Sequence, residues 1–296
     1  MRQHSLTTMR LLLTCLVLLT FLACGCGDSN TAESPDSTTK GNDSTKTEES
    51  EKLPKPTGRV ARLVEQLQNS DRQVAFDAAT ELGEMGSDAI AAIPALVDLA
   101  TFDEKGSHRI HPTLAAGEAL PKINAEAAVP YLVKSLKLRE KRYSAARILG
   151  EFGPTARPAI PALVDAMRAV TTAQTEDERS ASAQAAAALA KIRPHGLSAL
   201  VSEMGHNDTA VRKLAVWATP RGADGKPAVN VLAQRLSDSD SEIRSLAANA
   251  LADIGPGATD ALPFIKMALD KERSGLVVFA LQRALDSVTN NSNDKP

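Results

Sequence analysis

The chain has 296 residues, a formal net charge of −2 and a pI near 6.2, with 43% hydrophobic but only 3% aromatic residues. That is enough apolar material for a sizeable core. It is too little aromatic material for an ordinary sandwich, barrel or propeller, so close-packed helices are expected. The charge balance argues against a large basic surface for nucleic acid.

Arg2 and Arg10 bracket a charged start, and Leu11 to Ala23 is a run of thirteen mostly apolar residues. A bilayer span needs about 20 residues, so the run fits the apolar region of a secretory signal. It ends in Phe21-Leu22-Ala23-Cys24-Gly25-Cys26-Gly27. This segment resembles a bacterial lipobox, where a small residue precedes a cysteine that is lipidated and becomes the new N-terminus. The resemblance implies a signal peptide over 1–23 and lipidation at Cys24, with Cys26 as the alternative. An ordinary cleaved signal or a short uncleaved anchor is the other reading. The implied location is the bacterial cell envelope, lipid-anchored on the periplasmic side or at the outer membrane.

All three cysteines, Cys15, Cys24 and Cys26, lie in this segment. The rest of the chain therefore has no disulfide, thiolate metal site or thiol chemistry available, and its stability must come from packing. Without residues 1–23 the chain keeps 32 basic and 36 acidic residues, a charge of −4.

Residues 24–58 change composition abruptly. The stretch from Ser29 to Ser50 has no large apolar side chain. It cannot bury enough surface to offset chain entropy, so a disordered tether is expected, with a mean reach of roughly 30 Å.

From Val60 onward the chain repeats itself. Ala92-Ile93-Pro94-Ala95-Leu96-Val97 returns as Ala128-Val129-Pro130-Tyr131-Leu132-Val133 and as Ala159-Ile160-Pro161-Ala162-Leu163-Val164. The key apolar positions are Leu63, Leu96, Leu132, Leu163, Leu200, Leu232 and Ile265. They are spaced by 33, 36, 31, 37, 32 and 33 residues, a mean of about 34. A second phrase alternates with the first. Ala78-Ala79-Thr80-Glu81-Leu82-Gly83 is echoed by Ala145-Ala146-Arg147-Ile148-Leu149-Gly150 and by Ala247-Ala248-Asn249-Ala250-Leu251-Ala252.

Each unit thus reads as two helices. Asp71, Asp208 and Asp240 stand where an N-cap of the second helix belongs. Gly153-Pro154 and Gly255-Pro256 stand where that helix stops. The proline of the first phrase fits the opening turn of the next helix, where its missing N–H costs little.

A period near 34 suits several helical repeats. The aromatic code of tetratricopeptides and the Thr-Pro-Leu-His of ankyrins are absent. Present instead is Asp-x-x-Val/Ile-Arg, as Asp208-Thr209-Ala210-Val211-Arg212 and Asp240-Ser241-Glu242-Ile243-Arg244. This resembles HEAT repeat proteins, in the short-repeat branch similar to phycobilisome lyase HEAT-like repeats. The resemblance covers residues 59–288. It implies an all-α, right-handed α-solenoid of about seven antiparallel helix pairs, followed by a disordered tail over 289–296. It also implies that Arg212 and Arg244 pair with an Asp of a neighbouring unit. Two insertions, Thr101 to His108 and Thr171 to Asp177, mark the ridge loops where partners of solenoids often bind.

The search for chemistry returns little. His108 and His111, with Asp103 and Glu104, are the only metal-site candidate, set against a solvated loop. HEAT-like hydroxylases use repeated His-Glu pairs, and no His-Glu dipeptide occurs. HEAT-like bilin lyases and DNA glycosylases act in the cytoplasm, which the export signal contradicts. No P-loop, haem-attachment motif or recognisable Ser/His/Asp set occurs. No catalytic residue, metal or cofactor is therefore assigned.

The basic cluster Lys134, Lys137, Arg139, Lys141, Arg142 and Arg147 suggests a strip for an acidic partner, continued by Arg179 and Lys213. Trp217, the sole tryptophan, falls where other repeats have Leu. It reads either as an exposed anchor or as a core filler. The partner-binding candidates are thus Arg142, Arg147, Arg179, Lys213 and Trp217. The expected function is a non-catalytic, membrane-tethered scaffold, monomeric on its own, that binds a protein or peptide and no nucleic acid. The alternative is an enzyme, or an accessory subunit of one, with a metal or lyase-type site in the repeats.

Overall fold

The computed structural model describes residues 53–102 and 110–289. The proposed signal peptide, Cys24, Cys26, most of the tether, His108 and the tail from 290 onward lie outside the described residues. Glu49–Pro296 forms one compact unit, and its described part holds a continuous apolar core of its own. Among the described residues the chain is helical, with no strand.

The helices run α1 (Gly58–Gln66), α2 (Arg72–Glu84), α3 (Ile93–Ala100), α4 (Pro112–Leu136), α5 (Arg139–Glu151), α6 (Ile160–Arg168), α7 (Glu176–Lys191), α8 (His195–Glu203), α9 (Thr209–Trp217), α10 (Val229–Arg235), α11 (Ser241–Ile254), α12 (Leu262–Lys271) and α13 (Gly275–Thr289). Helix α4 is broken at Asn124, whose extended backbone separates the arms 112–123 and 125–136. Counting each arm as a helix gives the seven expected pairs, stacked as an all-α solenoid.

The seven key apolar residues all point inward. Leu63 is 5% exposed, and the other six are fully buried. The alanine pairs of the second helices are buried as well. Their small size has a purpose, because successive second helices lie very close together. A Cβ placed on Gly150 of α5 would sit 3.1 Å from the Ala188 Cα of α7. This close packing explains the shortage of aromatic residues.

The expected caps form. Asp71 accepts the Gln73 N–H at 2.9 Å, Asp208 the Ala210 N–H at 2.8 Å and Asp240 the Glu242 N–H at 2.8 Å. Gly153 and Gly255 take φ of 56° and 66°, which suits glycine. Each opens a 3₁₀ segment, Gly153–Ala159 and Gly255–Ala261, that leads straight into the next repeat. Pro94, Pro161 and Pro263 sit in the first turns of α3, α6 and α12, as expected.

Pro130 departs from this pattern and lies inside the second arm of α4. Here the Asn124 side chain accepts the Ala127 N–H at 3.0 Å. That cap starts the helix earlier, where other repeats have a 3₁₀ segment.

Candidate partner-binding ridge

Each second helix carries a buried pair of small or apolar residues. The residue after the pair lies on a shared ridge, half-buried in five repeats and exposed at Trp217 and Gln282. In chain order these residues are Thr80, Gly117, Arg147, Ala187, Trp217, Asn249 and Gln282. The register corrects the sequence reading of Trp217. The Leu position of repeat five is occupied by Thr219, and Trp217 falls two residues earlier. Helix α9 lacks the Leu-Gly phrase and ends at Trp217, nine residues long against thirteen for α5. Trp217 is 55% exposed, so it does not fill the core.

Arg147 shares that register and has no ion pair or hydrogen bond among the described residues. It lines a groove of about 460 Å³ between the first arm of α4 and α5, together with Leu114, Gly117, Glu118 and Phe152. Gly117 lies beside it: a Cβ there would make an ordinary contact 3.9 Å from Arg147 Nη2. Leu114 is 45% exposed, so the groove pairs an apolar floor with a cation. A second groove of about 570 Å³ lies between the N-terminal turns of α5 and α7, lined by Tyr143, Ser144 and Thr175. The insertion of repeat four contributes to it. Thr175 caps α7 by accepting the Glu178 N–H at 3.2 Å, and Glu178 accepts the Gln174 N–H at 2.7 Å in return.

Arg142 occupies a different register, three residues before the buried pair, where Arg212 and Arg244 also stand. All three donate to carbonyls of the preceding turn. Arg142 bonds to Leu136 O at 3.0 Å, Arg212 to His206 O at 3.0 Å and Arg244 to Asp238 O at 2.9 Å. Arg212 also grips Asp238 of the next repeat with two hydrogen bonds of 3.0 Å, as expected. Arg244 grips a glutamate rather than an aspartate, Glu272, at 2.6 and 3.1 Å. Arg168 holds Glu203 the same way at 2.8 and 2.6 Å, a pair the repeat phrases did not signal.

Arg179 pairs with Glu176 on its own helix at 2.8 Å. Lys213 bridges to Asp240 at 3.2 Å and Glu242 at 2.6 Å in the next repeat. The hydrogen bond to Glu242 is the main reason its pKa is raised. The structure therefore brings only Arg147 and Trp217 onto the common ridge. Arg142, Arg179 and Lys213 are engaged within the chain, and much of the basic strip is a ladder of internal ties.

These ties shift their carboxylates. Arg244 hydrogen bonds, helped by the Ser274 N–H, lower the Glu272 pKa to about 2. Burial pushes Asp238 upward, but the Arg212 hydrogen bonds, the Asp240 N–H and the nearby positive charges leave it below its ordinary value. A depressed carboxylate contributes stability above its unfolded pKa and loses it as pH falls through the folded value. The Arg244–Glu272 tie is thus fully present at neutral pH and lost between about pH 5 and 2. Urea unfolding at pH 7 and pH 3 should show a smaller acid-induced loss for Glu272→Gln than for the unaltered protein.

His111 is the residue preceding α4, and its proposed partner His108 lies outside the described residues. Among the described residues no three His, Cys, Asp or Glu side chains converge as a metal site, and no helix is long and apolar enough to cross a membrane.

Comparison with known proteins agrees with the repeat phrases. Residues 197–286 match the family model for HEAT repeats, and residues 141–168 match that for the PBS lyase HEAT-like repeat. No curated protein matches the chain. Among solved structures, an engineered protein is 24% identical, covering 78% of this chain and 97% of its own, with a TM-score of 0.38. The CpcE–CpcF complex of phycocyanin lyase from Nostoc sp. PCC7120 is 22% identical, covering 86% and 100%, with a TM-score of 0.36. A designed armadillo repeat protein in complex with the peptide (KR)4 is 19% identical, covering 78% and 100%, with a TM-score of 0.36.

Proposed function

We propose that this chain, whose residues 141–168 and 197–286 are HEAT-type repeats, is a non-catalytic scaffold that holds a protein or peptide along its second-helix ridge. The observation that carries the reading is the exposed Trp217, in the same ridge register as Arg147 with its Leu114-floored groove. Trp and Arg dominate the energetics of protein interfaces, because each combines a large contact area with directional polar atoms. Seven stacked pairs repeat one register along a continuous surface, which suits an extended partner.

The scaffold is lipid-anchored through Cys24, or alternatively Cys26, at the bacterial cell envelope. The tether ahead of Leu53, which packs against the core, lets it search a shell of roughly 30 Å and raises its effective concentration there. Replacing both Cys24 and Cys26 with Ser should move the protein from the membrane fraction to the soluble one. Retention in the membrane fraction would point to an uncleaved signal anchor.

Trp217 offers its own readout, because it is the only tryptophan. Partner binding should shift its fluorescence to the blue and shield it from acrylamide. Trp217→Ala should weaken the partner at least about tenfold while leaving the melting temperature nearly unchanged, since a half-exposed ring adds little to the core. Unchanged affinity in that variant would remove the ridge from the account.

A further inference from the structure

We infer that the groove between the α8–α9 and α10–α11 turns is a binding site for a phosphate group, with Arg235 as its cation. The groove has a volume of about 370 Å³ and lies where repeat five meets repeat six. No apolar side chain lines it, which sets it apart from the Leu114 groove and excludes an apolar anchor as its occupant.

The charges in the lining do not balance. It holds two guanidiniums, Arg212 and Arg235, and one carboxylate, Asp238. Arg212 takes that carboxylate with Nε and Nη2, each at 3.0 Å. The Asp240 N–H adds a third donor at 3.1 Å. Arg235 reaches the same carboxylate only through Nη1, at 3.4 Å. Its Nε is buried and donates to nothing, and no hydrogen bond of Nη2 forms among the described residues. Other ties in the solenoid match one guanidinium to one carboxylate, Arg168 to Glu203 and Arg244 to Glu272. The remaining carboxylates of these turns are committed elsewhere. Asp208 caps α9, and Asp240 caps α11 and pairs with Lys213. Arg235 is half-buried, with surplus charge and unsatisfied donors, and an anion supplies what it lacks.

The neutral groups around it select the kind of anion. Asn207, Gln234, Ser237 and Ser239 line the same groove and are exposed, and their side chains form no hydrogen bond among the described residues. A carboxylate has two oxygens, and one guanidinium uses both. A phosphate presents three or four, so it satisfies the planar fork of Arg235 and these amides and hydroxyls together. One surplus cation gives a modest site, so a dissociation constant of about 1 mM is expected.

Calorimetric titration of Glu49–Pro296, the unit that carries its own core, with inorganic phosphate in about 0.15 M sodium chloride tests this. The expected result is saturable one-to-one binding, with acetate at least about tenfold weaker. Arg235→Met keeps the apolar stem but removes the charge, and should weaken phosphate at least about tenfold. Ser237→Asp sets a carboxylate in the groove at an exposed position. It should abolish phosphate binding and leave the melting temperature without phosphate unchanged, which keeps the test open should Arg235→Met fail to fold. Tighter binding of glycerol 3-phosphate than of inorganic phosphate would assign the site to a phosphate ester, and weaker binding to the free ion. No saturation up to about 20 mM phosphate would overturn the inference. Equal affinity for acetate would overturn it too, as would phosphate binding untouched by Ser237→Asp.

Discussion

Asp238→Ala is expected to destabilise the repeat domain by about 3–5 kcal/mol, the usual range when one member of a buried ion pair is removed. The Asp238 side chain is 3% exposed and that of Arg212 is 10% exposed. Removing the carboxylate leaves the guanidinium of Arg212 buried without its counter-charge. The carbonyls of His206 and Asn207 still accept from one guanidinium nitrogen, but Nε loses its partner. Arg235, 3.4 Å from the same carboxylate, loses its charge partner too.

The tie joins repeats five and six. In a quasi-one-dimensional stack its loss weakens one junction in particular. Chemical unfolding should therefore broaden or split, with the last two repeats melting first. The double variant Arg212→Ala with Asp238→Ala should lose less than the sum of the two single losses. Arg59→Ala is the control: its pair with Glu81 is largely exposed, and its removal should cost under about 1 kcal/mol.

Gly196→Ala should cost about 3 kcal/mol, near the top of the usual range for overpacking. Helix α8 turns back on α7 so sharply that the Gly196 N–H donates to Ile192 O at 2.7 Å. A methyl group on Gly196 would overlap the backbone carbonyl of Leu189. A carbonyl at a helix end cannot step aside as a flexible side chain does, so repeats four and five would be forced apart. Gly275→Ala provides the contrast. Nothing lies within 4 Å of the new methyl at that position. It opens α13, where alanine favours the helix, so the change should be neutral or slightly stabilising. Thermal unfolding of the two variants side by side separates crowding from any general effect of removing glycine.

The fold was largely legible because its signals are local. Leucines spaced by about 34 residues, Asp at the caps and Pro in the opening turns each act within one helix or one turn. They agree with one another and with the buried positions. The Arg212–Asp238 tie was legible in part: the repeat phrase carries the arginine, but its partner stands two residues ahead of the phrase's Asp240. What escaped depends on register or on distant partners. The position of Trp217 was read against a leucine that stands two residues later, because α9 stops before completing the phrase. Arg142 and Arg147 looked alike in a basic run, yet five residues place them in different registers. One anchors a turn and the other lies in a groove. The surplus charge of Arg235 gave no signal, because the carboxylate beside it is held by Arg212 of the preceding repeat.

The central claim is that the repeat domain works by holding another protein. The most direct test is capture by immobilised Glu49–Pro296 from an extract of envelope and exported proteins, with mass spectrometry of the bound material and metal analysis of the bait. The account predicts a protein bound in near-stoichiometric amount to the unaltered domain and largely lost from Trp217→Ala, with no stoichiometric metal. Stoichiometric iron or zinc without a protein partner would contradict it, and would make His111 and the loop before it the place to look for chemistry.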